Sequence, residues 1–182
     1  KELGKKFKEI GKYFRLKLKI LYTKGSEPIG NGIGPVLEMM DVLEVLKNSP
    51  EAPKDLKEKS LYLSTELMKL CGIKNSREKA EKILSSGKAF QKFKGIVNAQ
   101  NSENDFEKKA NSLKLGRYKK VIKAKRSGKI FKISNQDINS LCRVLGTPDE
   151  ISAGVYLHKH IGKVSKREPI ITFYSESRRK LR

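Results

Sequence analysis

No apolar run in this sequence approaches the roughly 20 residues that a bilayer-spanning helix requires. Yet 37% of its 182 residues are hydrophobic and 34% are charged, a balance that supports a packed core and excludes a membrane-embedded chain. A secretory leader is also missing from the first residues, where Lys1, Glu2 and Lys5 fall in the stretch an apolar segment would occupy. The chain does not begin with Met, and we read it as a piece of a longer polypeptide. Cysteine and histidine are scarce, two of each. Cys71 and Cys142 each follow a leucine at an apolar position of an expected helix. Both are therefore expected as buried free thiols in a reducing, cytoplasmic compartment rather than as a disulfide. Two cysteines and two histidines scattered in this way do not make a zinc site.

Acidic residues are also short. Twenty Asp and Glu face 41 Lys and Arg, for a formal net charge of +21. Such a field attracts polyanions, and a basic nucleic-acid-binding module is one reading of it. However, Lys5, Lys57, Lys92, Lys119 and Lys163 come from every expected element, as in a heat-adapted, lysine-rich protein. From charge alone, nucleic acid is not the expected partner. The basic tail 178–182 is expected to be a frayed end.

What is present is periodicity. Leu3, Phe7, Ile10 and Phe14 predict an amphipathic helix over 2–13, and the alternation in 16–22 predicts a strand. Pro35 stands at a helix start, and Val36, Met39, Met40, Leu43 and Leu46 mark that helix's apolar face. A longer helix carries Leu56, Leu63, Leu67 and Leu70, and a third is capped by Ser76. Phe90, Phe93 and Val97 line a fourth. The polar stretch 101–116 is the expected domain boundary. Beyond it, 118–125 and 129–133 predict strands flanking a turn at Arg126-Ser127-Gly128. A helix capped by Ser134 or Asn135 comes after them, and then further strands around Val155, Val164 and 170–174. The expected fold class is α+β, with units at 1–110 and 111–182.

The turn Gly30-Asn31-Gly32-Ile33-Gly34 comes after an expected strand and opens a helix, as a dinucleotide loop does. Its G-x-G-x-G spacing and Pro28 instead favour a tight structural turn. His158 and His160 would share one face of a strand, and with no acidic neighbour on that strand they are expected to be solvated or locally bonded. Gly154 to Gly162 followed by Pro169 has the look of a biotinyl or lipoyl carrier hairpin, but no Met-Lys-Met or Asp-Lys-Ala tip is present.

Taken together with the helix after it, the turn becomes specific. The run Glu27-Pro28-Ile29-Gly30-Asn31-Gly32-Ile33-Gly34-Pro35-Val36-Leu37-Glu38-Met39-Met40-Asp41-Val42-Leu43 resembles the stretch QPIGxGIGPxLEARDVL of the AMP phosphorylase and thymidine phosphorylase family. Asp55 to Leu61 is similar to the family's DLREKSL, and Ser86 to Phe93 to its SGKAxEKF. Ser127-Gly128-Lys129-Ile130 resembles SGKI, and Ala153 to Lys159 resembles GAGVYLHKK. These matches keep family order from about residue 16 to residue 175. Departures are Glu27 for Gln, Met39-Met40 for Ala-Arg, Asn101-Ser102 for Gly-Gly, and His160 for a commoner lysine.

The resemblance implies that residues 1–110 are the helix-rich remnant of an α/β phosphorylase domain. It implies an α/β-hammerhead-like C-terminal domain at 111–182. It also implies an archaeal-type pentosyltransferase, converting AMP and phosphate to adenine and ribose 1,5-bisphosphate in nucleotide salvage, with thymidine phosphorylase as the alternative. The phosphate and base sites would precede Lys1, so no catalytic residue is assigned here and the chain alone is expected to be inactive. By the same resemblance, Ile29 and Gly32 carbonyls with the Asp41 carboxylate are expected ligands of a monovalent cation, potassium. The implied partners are phosphate, a nucleotide substrate and a second copy of the enzyme, with no membrane.

Overall fold

The computed structural model describes residues 2–101 and 105–182. Lys1 of the first unit and Ser102 of the Asn101-Ser102 departure lie outside the described residues. The fold is α+β, with helices α1 (Glu2–Tyr13), α2 (Pro35–Leu46), α3 (Lys54–Leu70), α4 (Ser76–Ser85), α5 (Lys88–Gln100), α6 (Phe106–Asn111) and α7 (Asn135–Leu145). Its strands are β1 (Gly32–Ile33), β2 (Tyr118–Lys123), β3 (Gly128–Ile130), β4 (Gly154–Leu157), β5 (Gly162–Val164) and β6 (Pro169–Ser175). No described helix is long and apolar enough to cross a membrane.

Two buried clusters organise the molecule. One lies among α2, α3 and α4, where Val45, Ala52, Leu61, Ala80 and Leu84 are shielded from water. The other packs α7 onto a four-stranded antiparallel sheet of order β1-β4-β6-β2, around Cys142, Leu145, Ala153, Val155 and Leu157. Full burial of a side chain such as Leu145 contributes about 1.5–3 kcal/mol. β1 comes from the glycine-rich turn, so a segment of the first half completes the sheet of the second. Gly32 faces Tyr156, and Ile33 faces Val155.

Several local expectations are corrected. Residues 16–22 pair with no strand among the described residues: Leu18 and Tyr22 lie against the Gly4 and Gly11 face of α1, and Lys19 pairs with Glu66 of α3. The 118–125 and 129–133 segments do not pair with each other. β2 takes β6, whose Ile171 and Phe173 supply apolar surface, and β3 takes β5. Ser76 is the first residue of α4 rather than its cap. Asn75 holds the cap position in the left-handed region, while Ser76 Oγ donates to Ile73 O (2.6 Å). The polar stretch contains α6, capped by the Asp105 side chain, with buried Phe106 set edge-on to Phe90 and Phe93 (5.8 Å each). The tail is not frayed: it forms a short 3-10 turn, Arg178–Leu181, that buries Leu181 in the second cluster. Cys71 is exposed just past α3, whereas Cys142 is buried.

Candidate functional site

The glycine-rich turn is held by carboxylates. Pro35, with its fixed φ and no N–H, opens α2, and Gly34 N donates back to Glu38 Oε1 (3.1 Å) in the manner of half a capping box. One turn later along α2, Asp41 Oδ2 accepts from both Asn31 N (2.6 Å) and Gly32 N (2.8 Å). Asp55, in the first turn of α3, accepts from Gly30 N (3.1 Å). Consecutive N–H groups converging in a turn form an anion cradle. Here the anions are the protein's own carboxylates. These N–H groups are therefore not available to a phosphate, which removes the dinucleotide reading.

The turn demands glycine at two points. Gly30 has φ 75°, and a Cβ there would meet Asp41 Oδ2 at 2.6 Å. Gly34 has φ 126°, and its Cβ would meet Ala153 O at 2.5 Å. The second clash shows how closely the turn is applied to the C-terminal sheet. Leu157 N donates to Asn31 O (2.7 Å), and Val36 N donates to Ile151 O (3.2 Å). Because Asn31 O is turned toward β4, strand alternation turns Gly32 O away from it.

Histidine placement differs from expectation. β4 ends at Leu157, and His158 Nε2 meets Thr172 Oγ1 (2.7 Å). His160 reaches the other half of the chain, with Nε2 at 3.1 Å from Asn31 Oδ1 and Nδ1 at 3.4 Å from Glu27 Oε2. Ile161 N also donates to Glu27 (3.1 Å). His158 is bonded within the C-terminal half, whereas His160 is bonded across to the turn segment, which also supplies its acidic neighbour. Sequence reasoning had no signal for this contact between residues more than 130 positions apart.

Burial sets the electrostatics. It pushes the Asp41 carboxyl up from the ordinary carboxylate value, against the lowering effect of the Gly32 and Asn31 donors, and the charges of Asp55 and Glu38 push it further. Burial likewise lowers His158 and raises the Tyr156 phenol, and it pushes the Cys142 thiol up to about 11. Cys142 is thus an inert core thiol.

Two open clefts flank Glu27, Pro28 and Ile29. One of about 320 Å³ is lined by Lys24, Lys59 and Asn135, and one of about 620 Å³ by Tyr22, Asp55, Tyr62 and Arg77. Arg77 is occupied by Glu58 (2.9 Å) and Glu81 (2.5 Å). Among the described residues, no three His, Cys, Asp or Glu side chains gather as a metal site. A hard monovalent ion is a different case, because main-chain oxygens can hold it. With its N–H groups committed, the turn has carbonyls left to offer. Asp41 uses one oxygen for both donors, and its charge is otherwise poorly compensated. Main-chain carbonyls and a carboxylate are the donor types that such an ion takes.

No protein-family profile matches the chain. Individual relatives do. The chain is 38% identical over 175 residues to AMP phosphorylase 2 of Archaeoglobus fulgidus, with 95% of this chain and 34% of the relative covered. It is 34% identical over 184 residues to AMP phosphorylase of Methanocaldococcus jannaschii, covering 99% of this chain and 36% of that one. A provisionally named thymidine phosphorylase of Legionella pneumophila is 36% identical over 180 residues, at 96% and 33% coverage. The relatives are thus bacterial as well as archaeal. The chain spans about a third of the length of the curated relatives it matches. Over that span, corresponding to the C-terminal part of its longer members, the chain belongs to the AMP phosphorylase and thymidine phosphorylase family.

Proposed function

We propose that this chain is the C-terminal part of a nucleotide phosphorylase whose complete polypeptide transfers the ribose 5-phosphate of AMP to phosphate, releasing adenine. The observation that carries this reading is the carboxylate-pinned turn. It has the family's residues in the family's order, yet its N–H groups are occupied. A phosphorolytic site must hold an attacking phosphate on donors and a cation, and must protonate a leaving base. In this reading those parts belong to the remainder of the polypeptide, and the 182 residues alone are inactive. The exposed apolar side chains Leu3, Phe7 and Ile10 along α1, with Phe14 just past its end, support a further partner surface, taken here as the rest of the enzyme. The division into units 1–110 and 111–182, with a hammerhead-like second unit, is part of the same proposal, as are a cytoplasmic location and homo-oligomeric assembly.

Ile29 and Gly32 carbonyls and the Asp41 carboxylate would hold a potassium ion, supplying positive charge beside the turn. Nucleic acid has no part in the phosphorolytic reaction itself. The test is phosphate-dependent release of base from AMP and from thymidine by the complete polypeptide, followed by chromatography. Release of adenine is expected. Preference for thymidine would move the assignment to the Legionella-type alternative, and release from neither would sink it.

A further inference from the structure

The charge of +21 is spread over the chain, but at one place it converges with an aromatic ring. β3 and β5 form a two-stranded ribbon outside the main sheet, with Lys129 directly opposite Lys163. Directly opposed residues share a face, and like charges placed so repel each other. Phe131, two positions after Lys129, lies on the same side, with Lys129 Nζ 5.5 Å from its ring centroid. Phe131 is 78% exposed. At the ribbon's end, Lys166 N donates to Ser127 Oγ (2.9 Å) and Arg167 N donates to Ala124 O (2.8 Å). These bonds bring exposed Lys125 and Arg126 beside exposed Lys166 and Arg167. Glu168, the carboxylate of this turn, is taken by Lys159 (2.5 Å). Lys125, Arg126, Lys129, Lys163, Lys166 and Arg167 have no acidic partner among the described residues.

We propose that this ribbon binds single-stranded nucleic acid, with its lysines and arginines on successive phosphates and Phe131 stacked on a base. Charge alone did not single out such a partner; the union of unpaired charge with an exposed ring does. Phosphates relieve the Lys129–Lys163 repulsion, and a base face covers the ring, which is the combination used by single-strand binders. A duplex offers no free base face along its length to the ring.

The chain has no tryptophan, so Phe131→Trp gives a single fluorescent reporter. Titration with an oligothymidylate of about 15 nucleotides, within the span of known single-strand sites, is expected to quench that signal. Inorganic polyphosphate is expected to leave it unchanged. Phe131→Ala should weaken binding about 5- to 150-fold, as loss of one stacked base does. The double variant Lys129→Gln/Lys163→Gln should flatten the log–log salt slope by about 1.4, from roughly 0.7 per phosphate contact on a single strand. The control Lys5→Gln/Lys8→Gln, with the same change of charge on exposed α1 positions, should leave the slope nearly unchanged. The proposal is overturned by equal losses in control and ribbon variants, by no quenching, or by tighter binding to phosphatidylserine vesicles than to the oligonucleotide. Because none of these readouts involves phosphorolysis, the result stands or falls apart from the enzymatic reading.

Discussion

Replacing Asp41 with alanine removes one oxygen that serves two backbone donors. Gly32 N and Asn31 N both donate to Oδ2, the first at a buried position and the second at a partly buried one. Each stranded donor costs about 1–3 kcal/mol. Removal of a desolvated carboxylate returns part of that loss, so the net cost of Asp41→Ala is placed at about 2–4 kcal/mol. For a chain of this size that corresponds to a fall in Tm of roughly 5–15 °C. Asp41→Asn is the discriminating partner. Because both bonds fall on the same atom, the amide oxygen of Asn can accept both, and the burial cost of the charge disappears. We expect Asp41→Asn to stay within about 1 kcal/mol of the parent. The sign with pH is fixed by the raised carboxyl. Its favourable contribution is present in full at low pH, where the group is protonated folded or unfolded, and is lost as pH rises through the raised folded value. The Asn variant should therefore gain on the parent over that interval and hold a constant difference above it. Urea denaturation followed by circular dichroism, at several pH values, measures all of this. An Asp41→Ala cost below about 0.5 kcal/mol, or an Asn variant as damaged as the Ala variant, would refute the pinned-turn account, since intact donors are worth more than that.

Potassium should raise the Tm of the parent and leave that of Asp41→Asn unchanged if Ile29, Gly32 and Asp41 hold the ion; equal shifts with sodium, potassium and a tetraalkylammonium salt would remove the site. His158 is lowered by burial, so its neutral form stabilises the fold above the ordinary histidine value and that contribution is lost as pH falls through the lowered one. His158→Gln should flatten this acid limb in a pH series of melting curves. Leu61→Ala and Leu145→Ala each open a buried site in a different cluster and should cost about 2–5 kcal/mol. Hydrogen exchange should localise the first loss to α2–α4 and the second to the sheet and α7. Uniform loss in both variants would contradict the two-unit division.

Much of the helical half was legible because its apolar residues keep a regular period: α2, α3 and α5 follow from Val36, Leu56 and Phe90 onward, and Pro35 marks a true start. The sheet was less legible, because strand segments can be recognised without their partners. Nothing in 118–125 or 129–133 says that β2 waits for β6 and β3 for β5. Residues 16–22 alternate like a strand but find no partner among the described residues, so Leu18 and Tyr22 settle on α1 instead. α6 was missed because six residues are too few to show a period, although Asp105 before Phe106 was a usable capping signal. In the site, the sequence run singled out the glycine turn and Asp41. The acceptance of Gly30, Asn31 and Gly32 N–H groups by Asp41 and Asp55 depends on how α2 and α3 are placed, and no local spacing encodes it. The same holds for Glu27 and His160, which only the closure of the turn onto the C-terminal sheet brings together.

We propose that these residues frame a nucleotide-cleaving site without containing its chemistry. Incubating the purified 182-residue chain with AMP and phosphate, and measuring free adenine over time, tests it most directly. No adenine above the protein-free control is predicted. Sustained, phosphate-dependent release by this chain alone would contradict it.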